Sequence, residues 1–247
     1  MKGIKSMITG ILYGIGVGPG DPELMTLKAI HTIEQCDVLA VPQTKGSRTV
    51  ALDIVKQTMD ISDKNLLSLK IPMSRDKQVI KQNRDEIAKL VIEQLKLGKS
   101  VAFLTLGDPT IYSTYLYTHR RVLKQGFSAQ IIPGVPSFCA VAARLNDSLV
   151  ENAQPLHIIP ASYDGVEEAL NLTGTKVLMK AGKSVEEIKT LLKQNNCYQM
   201  TKMVQNCGMK DEKVIVNLDE VDNQASYFSI FVVKDGTEEL IEKESEQ

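Results

Sequence analysis

Apolar and polar positions change period repeatedly along the chain, and each change marks an element. Ile11 to Tyr13 are apolar and β-favouring, so a strand is predicted to break at Gly14 into a glycine-rich turn, GIGVGPGDPEL. A helix follows. Asp21 suits its cap, Pro22 its first position and Glu23 its positive end, and Leu24, Leu27, Ile30 and Ile33 recur at helical spacing as a buried face. Val38 to Val41 read as a strand closed by Pro42, and Val50, Ala51, Ile54 and Val55 as a helix. Leu66 to Ile71 read as a strand ending at Pro72. A long helix then carries Ile80, Ile87, Val91 and Leu95 on one face, with Gly98 beyond its end. Val101 to Leu106 are almost all apolar, as in a strand covered on both faces of a parallel sheet.

Strands alternating with helices predict an α/β domain of right-handed crossover units, whose ligands bind beyond the carboxyl ends of the strands. Past about residue 150 the character shifts. TKVLMK, QMTKMVQNC, EKVIVNL and SYFSIFVVK are β-favouring, with helical patterns at 166–172 and 185–192 between them. The last strand is apolar on both faces. A second α/β domain with a mixed, substantially antiparallel sheet is therefore expected, the division falling at 126/127. The charged end, EELIEKESEQ, is expected to fray.

Composition narrows the class. The 247 residues are 43% hydrophobic, enough for one large core or two modest ones. A net charge of −1 and the lack of a Lys/Arg-rich tract argue against a nucleic-acid partner. The opening MKGIKSMITG is too short and weakly apolar for a signal peptide, and no run approaches bilayer length, so a cytoplasmic protein with no membrane partner is the expectation. Cys36, Cys139, Cys197 and Cys207 form no C-x-x-C pair, and His31, His119 and His157 are scattered, so no metal site is expected.

The candidate chemistry lies in three strand-to-loop-to-helix junctions. The first does not fit a dinucleotide fingerprint: counted from Gly14 the third glycine falls on Pro19, and counted from Gly16 it falls on Asp21. Asp21 and Glu23 would also repel a pyrophosphate. A nucleotide-like ligand without phosphates, such as S-adenosylmethionine, suits it better; a merely tight turn is the alternative. The second junction, Gly107-Asp108-Pro109-Thr110, is followed by Tyr112-Ser113-Thr114, and the third is Pro133-Gly134-Val135-Pro136-Ser137. Hydroxyls in a helix's first turn satisfy its own amides or bind a polar ligand. Three junctions of one style are expected to converge.

Together, GIGVGPGDPELMTLKA, GDPTIYST and PGVPS, in this order and spacing, resemble the tetrapyrrole (precorrin) methylases over nearly the whole chain. Tyr112-Ser113-Thr114 and the segment from Ile71 to Asp76 resemble those members that methylate carbon 20 of precorrin-2 or cobalt-factor II. The resemblance implies two α/β domains with a ligand cleft between them, S-adenosylmethionine as methyl donor, a tetrapyrrole acceptor and a homodimer. It implies donor contacts at Pro19, Gly107, Asp108, Ser113, Thr114 and Pro133, and in the second domain at Met179, Lys180, Ala181, Asn206, Cys207 and Gly208. Asn206-Cys207-Gly208 departs from the charged, threonine-containing form of many relatives. Asp108 and Tyr112, beside the donor loop, are the candidates for orienting the acceptor or assisting its proton loss. Arg75, Lys77, Arg84, Arg120 and Arg121 are the candidates for its acidic side chains, because a guanidinium pairs a carboxylate through two hydrogen bonds. Alternatives are a methylase of this family with another acceptor, including a protein, or a module that binds the donor without turnover.

Overall fold

The computed structural model describes residues 9–44, 49–72, 74, 76–163, 165–181, 185–221 and 226–235. Arg75, Met73 and the charged C-terminal end lie outside the described residues. The chain divides into two compact units, Met1–Ser137 and Phe138–Gln247.

The first unit holds an all-parallel sheet of β1 (Leu12–Gly16), β2 (Val38–Thr44), β3 (Asn65–Ile71), β4 (Val101–Thr105) and β5 (Ala129–Ile132), in the order β3-β2-β4-β1-β5. Its helices are α1 (Leu27–Gln35), α2 (Val50–Thr58), α3 (Lys77–Lys96) and α4 (Tyr115–Lys124). One face of the sheet packs Ile15, Leu39 and Leu104 on Ile33 of α1 and Ile54 of α2. The other packs Leu12, Leu69 and Phe103 on Val91 of α3 and Val122 of α4. Central β4 is buried on both faces, which is why it reads as an unbroken apolar run. A division at 126/127 would strip β5 from the sheet, since Leu12 to Ile15 of β1 pair with Ala129 to Ile132. The compact units part instead after Ser137.

Three local expectations are corrected. The strand does not break at Gly14 but runs to Gly16, because both glycines lie against other parts of the unit. Asp21 does not cap α1: it accepts the Glu23 N–H (2.9 Å) ahead of a single 3-10 turn, Pro22–Leu24, and Thr26 caps α1 through the Ala29 N–H (3.1 Å). That shift leaves Leu27 73% exposed. Pro42 does not end β2, since β4 pairs only with Val38 to Ala40 and asks for no N–H beyond them.

The second unit holds a mixed sheet of β6 (Leu156–Pro160), β7 (Thr175–Met179), β8 (Thr201–Gln205), β9 (Lys213–Ile215) and β10 (Ser229–Val233), in the order β6-β7-β10-β8-β9. Only β6 and β7 are parallel; β10 runs antiparallel to both of its neighbours. Its helices are α5 (Ser137–Leu145), which begins at the unit boundary, α6 (Val166–Leu170) and α7 (Val185–Gln194). The core joins Val166, Leu170, Ile188 and Leu192 to Leu178, Met203 and Phe231. Strand β6 was not foreseen, because LHIIP is short and proline-bounded.

Candidate functional site

In the first unit the three glycine-bearing junctions meet backbone to backbone at the carboxyl ends of β1, β4 and β5. Gly18 and Gly107 form an antiparallel bridge, with the Gly107 N–H on the Gly18 carbonyl at 2.7 Å and the return bond at 3.3 Å. A Cβ on Gly16 would lie 2.5 Å from the Gly134 nitrogen, and one on Gly134 would lie 2.4 Å from the Gly107 oxygen. Gly107 itself sits at φ +70, where an L side chain is strained. Pro19 is buried just past the bridge. The expected convergence of the loops is therefore present, and it depends on glycine at these positions.

Asp108 ties two of the loops. Its Oδ1 accepts the Thr110 N–H (2.7 Å) and hydroxyl (2.5 Å), and its Oδ2 accepts the Gly134 N–H (3.0 Å). It does not cap α4; Ser113 Oγ accepts the Tyr115 N–H (3.0 Å), and Thr114 makes no capping bond. Tyr112 stands at φ +47, an uncommon conformation for a bulky side chain, and burial pushes its phenol up from the ordinary tyrosine value. The Tyr115 ring fills the space over Gly14, its hydroxyl donating to the Gln130 carbonyl (2.8 Å) and lying 2.8 Å from His119 Nδ1.

The cationic candidates separate. Lys77 opens α3, directly after its cap Asp76, whose Oδ1 accepts the Gln78 N–H at 2.7 Å. Arg84 lies 3.3 Å over the Tyr117 ring, and Arg121 pairs with Asp85 (2.7 Å) while donating to the Tyr117 carbonyl, so both are engaged along the α3–α4 seam. Arg120 is exposed on α4. An open hollow is lined by Lys56, Met59, Asp60 and Leu66, the last near the amino end of β3.

In the second unit, β7 and β8 flank β10, with Phe231 opposite both Leu178 and Met203, so their carboxyl ends share one sheet edge. Met179, Lys180 and Ala181 close β7; Asn206, Cys207 and Gly208 close β8. Asn206 (φ +52) and Gly208 (φ +74) bend the second loop, and the Asn206 side chain donates to Asp211 at 2.8 Å. Glu212, which the sequence reading missed, holds this loop through the Gly208 N–H (2.7 Å) and Arg144 (2.6 Å).

Burial alone would raise the Glu212 carboxyl, but the Gly208 N–H and Arg144 outweigh it and hold it below its usual value. A depressed folded pKa contributes stability that is complete above the unfolded glutamate value of about 4.3 and is lost as pH falls below it. Urea midpoints are expected to drop over that acid window and to drop less in Glu212→Gln. Equal slopes for the two proteins would remove this role.

Among the described residues, no group of three or more His, Cys, Asp or Glu is placed to hold a metal ion, and no helix is long and apolar enough to cross a membrane. The junctions themselves disfavour a phosphate ligand, since Asp21 and Thr26 already occupy the free amides and Glu23 adds negative charge. The buried Thr105 hydroxyl, at the end of β4, has no partner among the described residues and is a polar group that a ligand could satisfy.

A parallel sheet with glycine loops at its carboxyl edge, followed by a mixed-sheet unit, defines a class, and the comparisons agree with it: residues 11–222 match the family Tetrapyrrole (Corrin/Porphyrin) Methylases. The chain belongs to this family. The probable cobalt-precorrin-2 C(20)-methyltransferase of Methanocaldococcus jannaschii is 35% identical, covering 90% of this chain and 95% of that protein. The cobalt-precorrin-2 C(20)-methyltransferase of Salmonella typhimurium is 31% identical over 92% and 97%. Among solved structures, the uroporphyrin-III C-methyl transferase of Thermus thermophilus complexed with S-adenosyl homocysteine superposes with TM-score 0.68 at 19% identity, covering 91% of this chain and 97% of that one, a likeness of fold.

Proposed function

We propose that this protein transfers the methyl group of S-adenosylmethionine to carbon 20 of precorrin-2, or of its cobalt form, in cobalamin biosynthesis. The observation that carries the reading is near full-length similarity to two C(20)-methyltransferases, at 35% and 31% identity. Bound S-adenosylmethionine supplies an electrophilic methyl group on a sulfonium sulfur.

The chain's own contribution is placement, which is worth roughly 7–11 kcal/mol of barrier when two reactants are held aligned. In the first unit, Pro19, Gly107, Ser113, Thr114 and Pro133 are the residues proposed to border the donor, on the strength of the family likeness. Asp108 acts by orientation, since both carboxylate oxygens already hold the loops. Tyr112, which directly follows the Gly107-Asp108-Pro109-Thr110 loop at φ +47, serves as a hydrogen-bond donor to the acceptor through its phenol. The cations proposed for the acceptor's carboxylates are Arg75, Lys77, Arg84, Arg120 and Arg121, chosen for their nearness in sequence to the predicted loops; Arg84 and Arg121 would have to leave Tyr117 and Asp85 to serve. A homodimer is proposed on the same family likeness, and a cytoplasmic location on the sequence reading alone.

The test is transfer of labelled methyl to precorrin-2 and cobalt-factor II side by side, with the label located. Label at carbon 20 supports the reading; donor binding without transfer to either macrocycle sinks it. Asp108→Ala strands the Gly134 and Thr110 amides and is expected to weaken donor binding about tenfold, the equivalent of about 1–2 kcal/mol. Tyr112→Phe is expected to lower kcat with donor affinity unchanged. Wild-type kinetics in both variants would withdraw these two roles.

A further inference from the structure

Gly14 stands in the middle of β1, a strand paired on both sides, where a glycine weakens the element and marks a close approach. What approaches is Tyr115. A Cβ on Gly14 would lie 2.2 Å from Cε1 and Cζ of its ring and 2.6 Å from Cδ1. The ring also tilts against Phe103 of β4, centroids 5.4 Å apart, and the residue is wholly buried. Its hydroxyl passes β1 and donates to the Gln130 carbonyl of β5 at 2.8 Å. A phenol has one hydrogen, and that one is spent on the carbonyl. The 2.8 Å contact with His119 is therefore a ring N–H donating from Nδ1. One side chain at the start of α4 thus touches β1, β4 and β5, the three strands that lead into the glycine junctions.

The backbone of the same residue reaches toward the loop. The Tyr115 N–H donates to Ser113 Oγ at 3.0 Å, while Thr114 makes no capping bond. A hydroxyl that accepts an N–H keeps one hydrogen of its own to donate. Contacts therefore run without a break from the middle of the sheet, through Tyr115, to the Ser113 hydroxyl.

We propose that Tyr115 is a positioning residue for the methyl transfer: it fixes Ser113 relative to the glycine junctions and leaves the Ser113 hydroxyl hydrogen for the bound donor. The inference rests on the function proposed above, in which Ser113 borders S-adenosylmethionine. A ligand-contacting group is precise only when the residue behind it is locked by packing on rigid elements, and a misplacement of about 1 Å can cost about a hundredfold in rate. It also gives Gly14 its reason. The residue is glycine so that a tyrosine ring can cross β1 to β5.

The experiment joins amide hydrogen exchange of the ligand-free full chain to titration with S-adenosylhomocysteine, in wild type, Tyr115→Leu and Tyr115→Phe. In Tyr115→Leu, exchange is expected to rise about tenfold or more over residues 112–116 and to stay at the wild-type level over β5, because the opening is local. S-adenosylhomocysteine is expected to bind about tenfold more weakly. Tyr115→Phe keeps the ring over Gly14, and both effects are expected to be smaller. Ser113→Ala is expected to weaken the ligand in wild type and to add little to Tyr115→Leu, since the hydroxyl it removes is already out of place. A residue that only stabilised the unit would give additive losses. Additive losses, or wild-type exchange over 112–116 in Tyr115→Leu, overturn the proposal. If Tyr115→Leu loosens the whole unit, Tyr115→Phe decides: faster exchange confined to 112–116 supports the role, and wild-type or unit-wide exchange overturns it. A wild-type protein that binds no S-adenosylhomocysteine defeats the functional reading alone, and exchange in the ligand-free chain still decides whether Tyr115 holds the turn.

Discussion

Replacing Gly134 with alanine is expected to abolish donor binding and to destabilise the first unit by about 3 kcal/mol or more. The added Cβ would lie 2.4 Å from the Gly107 oxygen and 2.7 Å from the Gly16 carbonyl carbon, and both are backbone that cannot rotate aside. Relief requires the three loops to part, which strains the Gly18–Gly107 bridge and the Asp108 bond to the Gly134 amide. Gly134 is not among the glycines at positive φ, so the effect is steric contact rather than backbone preference. Gly126→Ala is the matching control: with φ +81 and nothing within 4 Å of the new Cβ, it is expected to cost about 1 kcal/mol of local strain and to leave donor affinity alone. Calorimetric titration of S-adenosylhomocysteine and urea unfolding of both variants decide the matter. Similar behaviour of the two would mean that the loops do not depend on this approach.

Asp235→Ala is expected to cost the second unit about 3–5 kcal/mol, the usual penalty for stranding a buried charge. Lys176 lies in β7 at 3% exposure and pairs with Asp235, which also accepts the Gly174 N–H. Without the carboxylate, a buried ammonium and a buried amide lose their partner together. Lys176→Met in the same chain removes the stranded charge and is expected to recover most of the loss, because apolar replacement of a buried pair is often close to neutral. Urea unfolding of the single and double variants measures the difference. A single variant within about 0.5 kcal/mol of wild type, the range of an ordinary surface substitution, would show that the pair contributes little.

Much of this architecture was legible in the order of residues. The apolar runs of β4 and β10 announce strands buried on both faces, and α3 appears in the spacing of Ile87, Val91 and Leu95 before Gly98. Other features were misread for physical reasons. Asp21-Pro22-Glu23 carries every local sign of a helix start, yet the chain makes only one 3-10 turn there before Thr26 begins α1, because the cap that is used depends on where the helix packs. Pro42 looks like a strand end but falls where β2 has lost its β4 neighbour. Arg84 and Arg121 read as free cations, whereas Tyr117 and Asp85, close by only through the α3–α4 packing, engage them.

By itself the sequence determined the alternation of elements, the two sheet types, the three glycine junctions and the family they belong to. All of these rest on neighbours along the chain, where period and turn chemistry act. Only the tertiary structure decided that Gly16, Gly107 and Gly134 touch, that Asp108 spends its oxygens on the loops, that Glu212 holds the bend at Gly208, and that Tyr115 crosses Gly14 to reach the Gln130 carbonyl. Many of these relations join residues far apart in the chain, and their distances are set by sheet order and register, which no local pattern encodes.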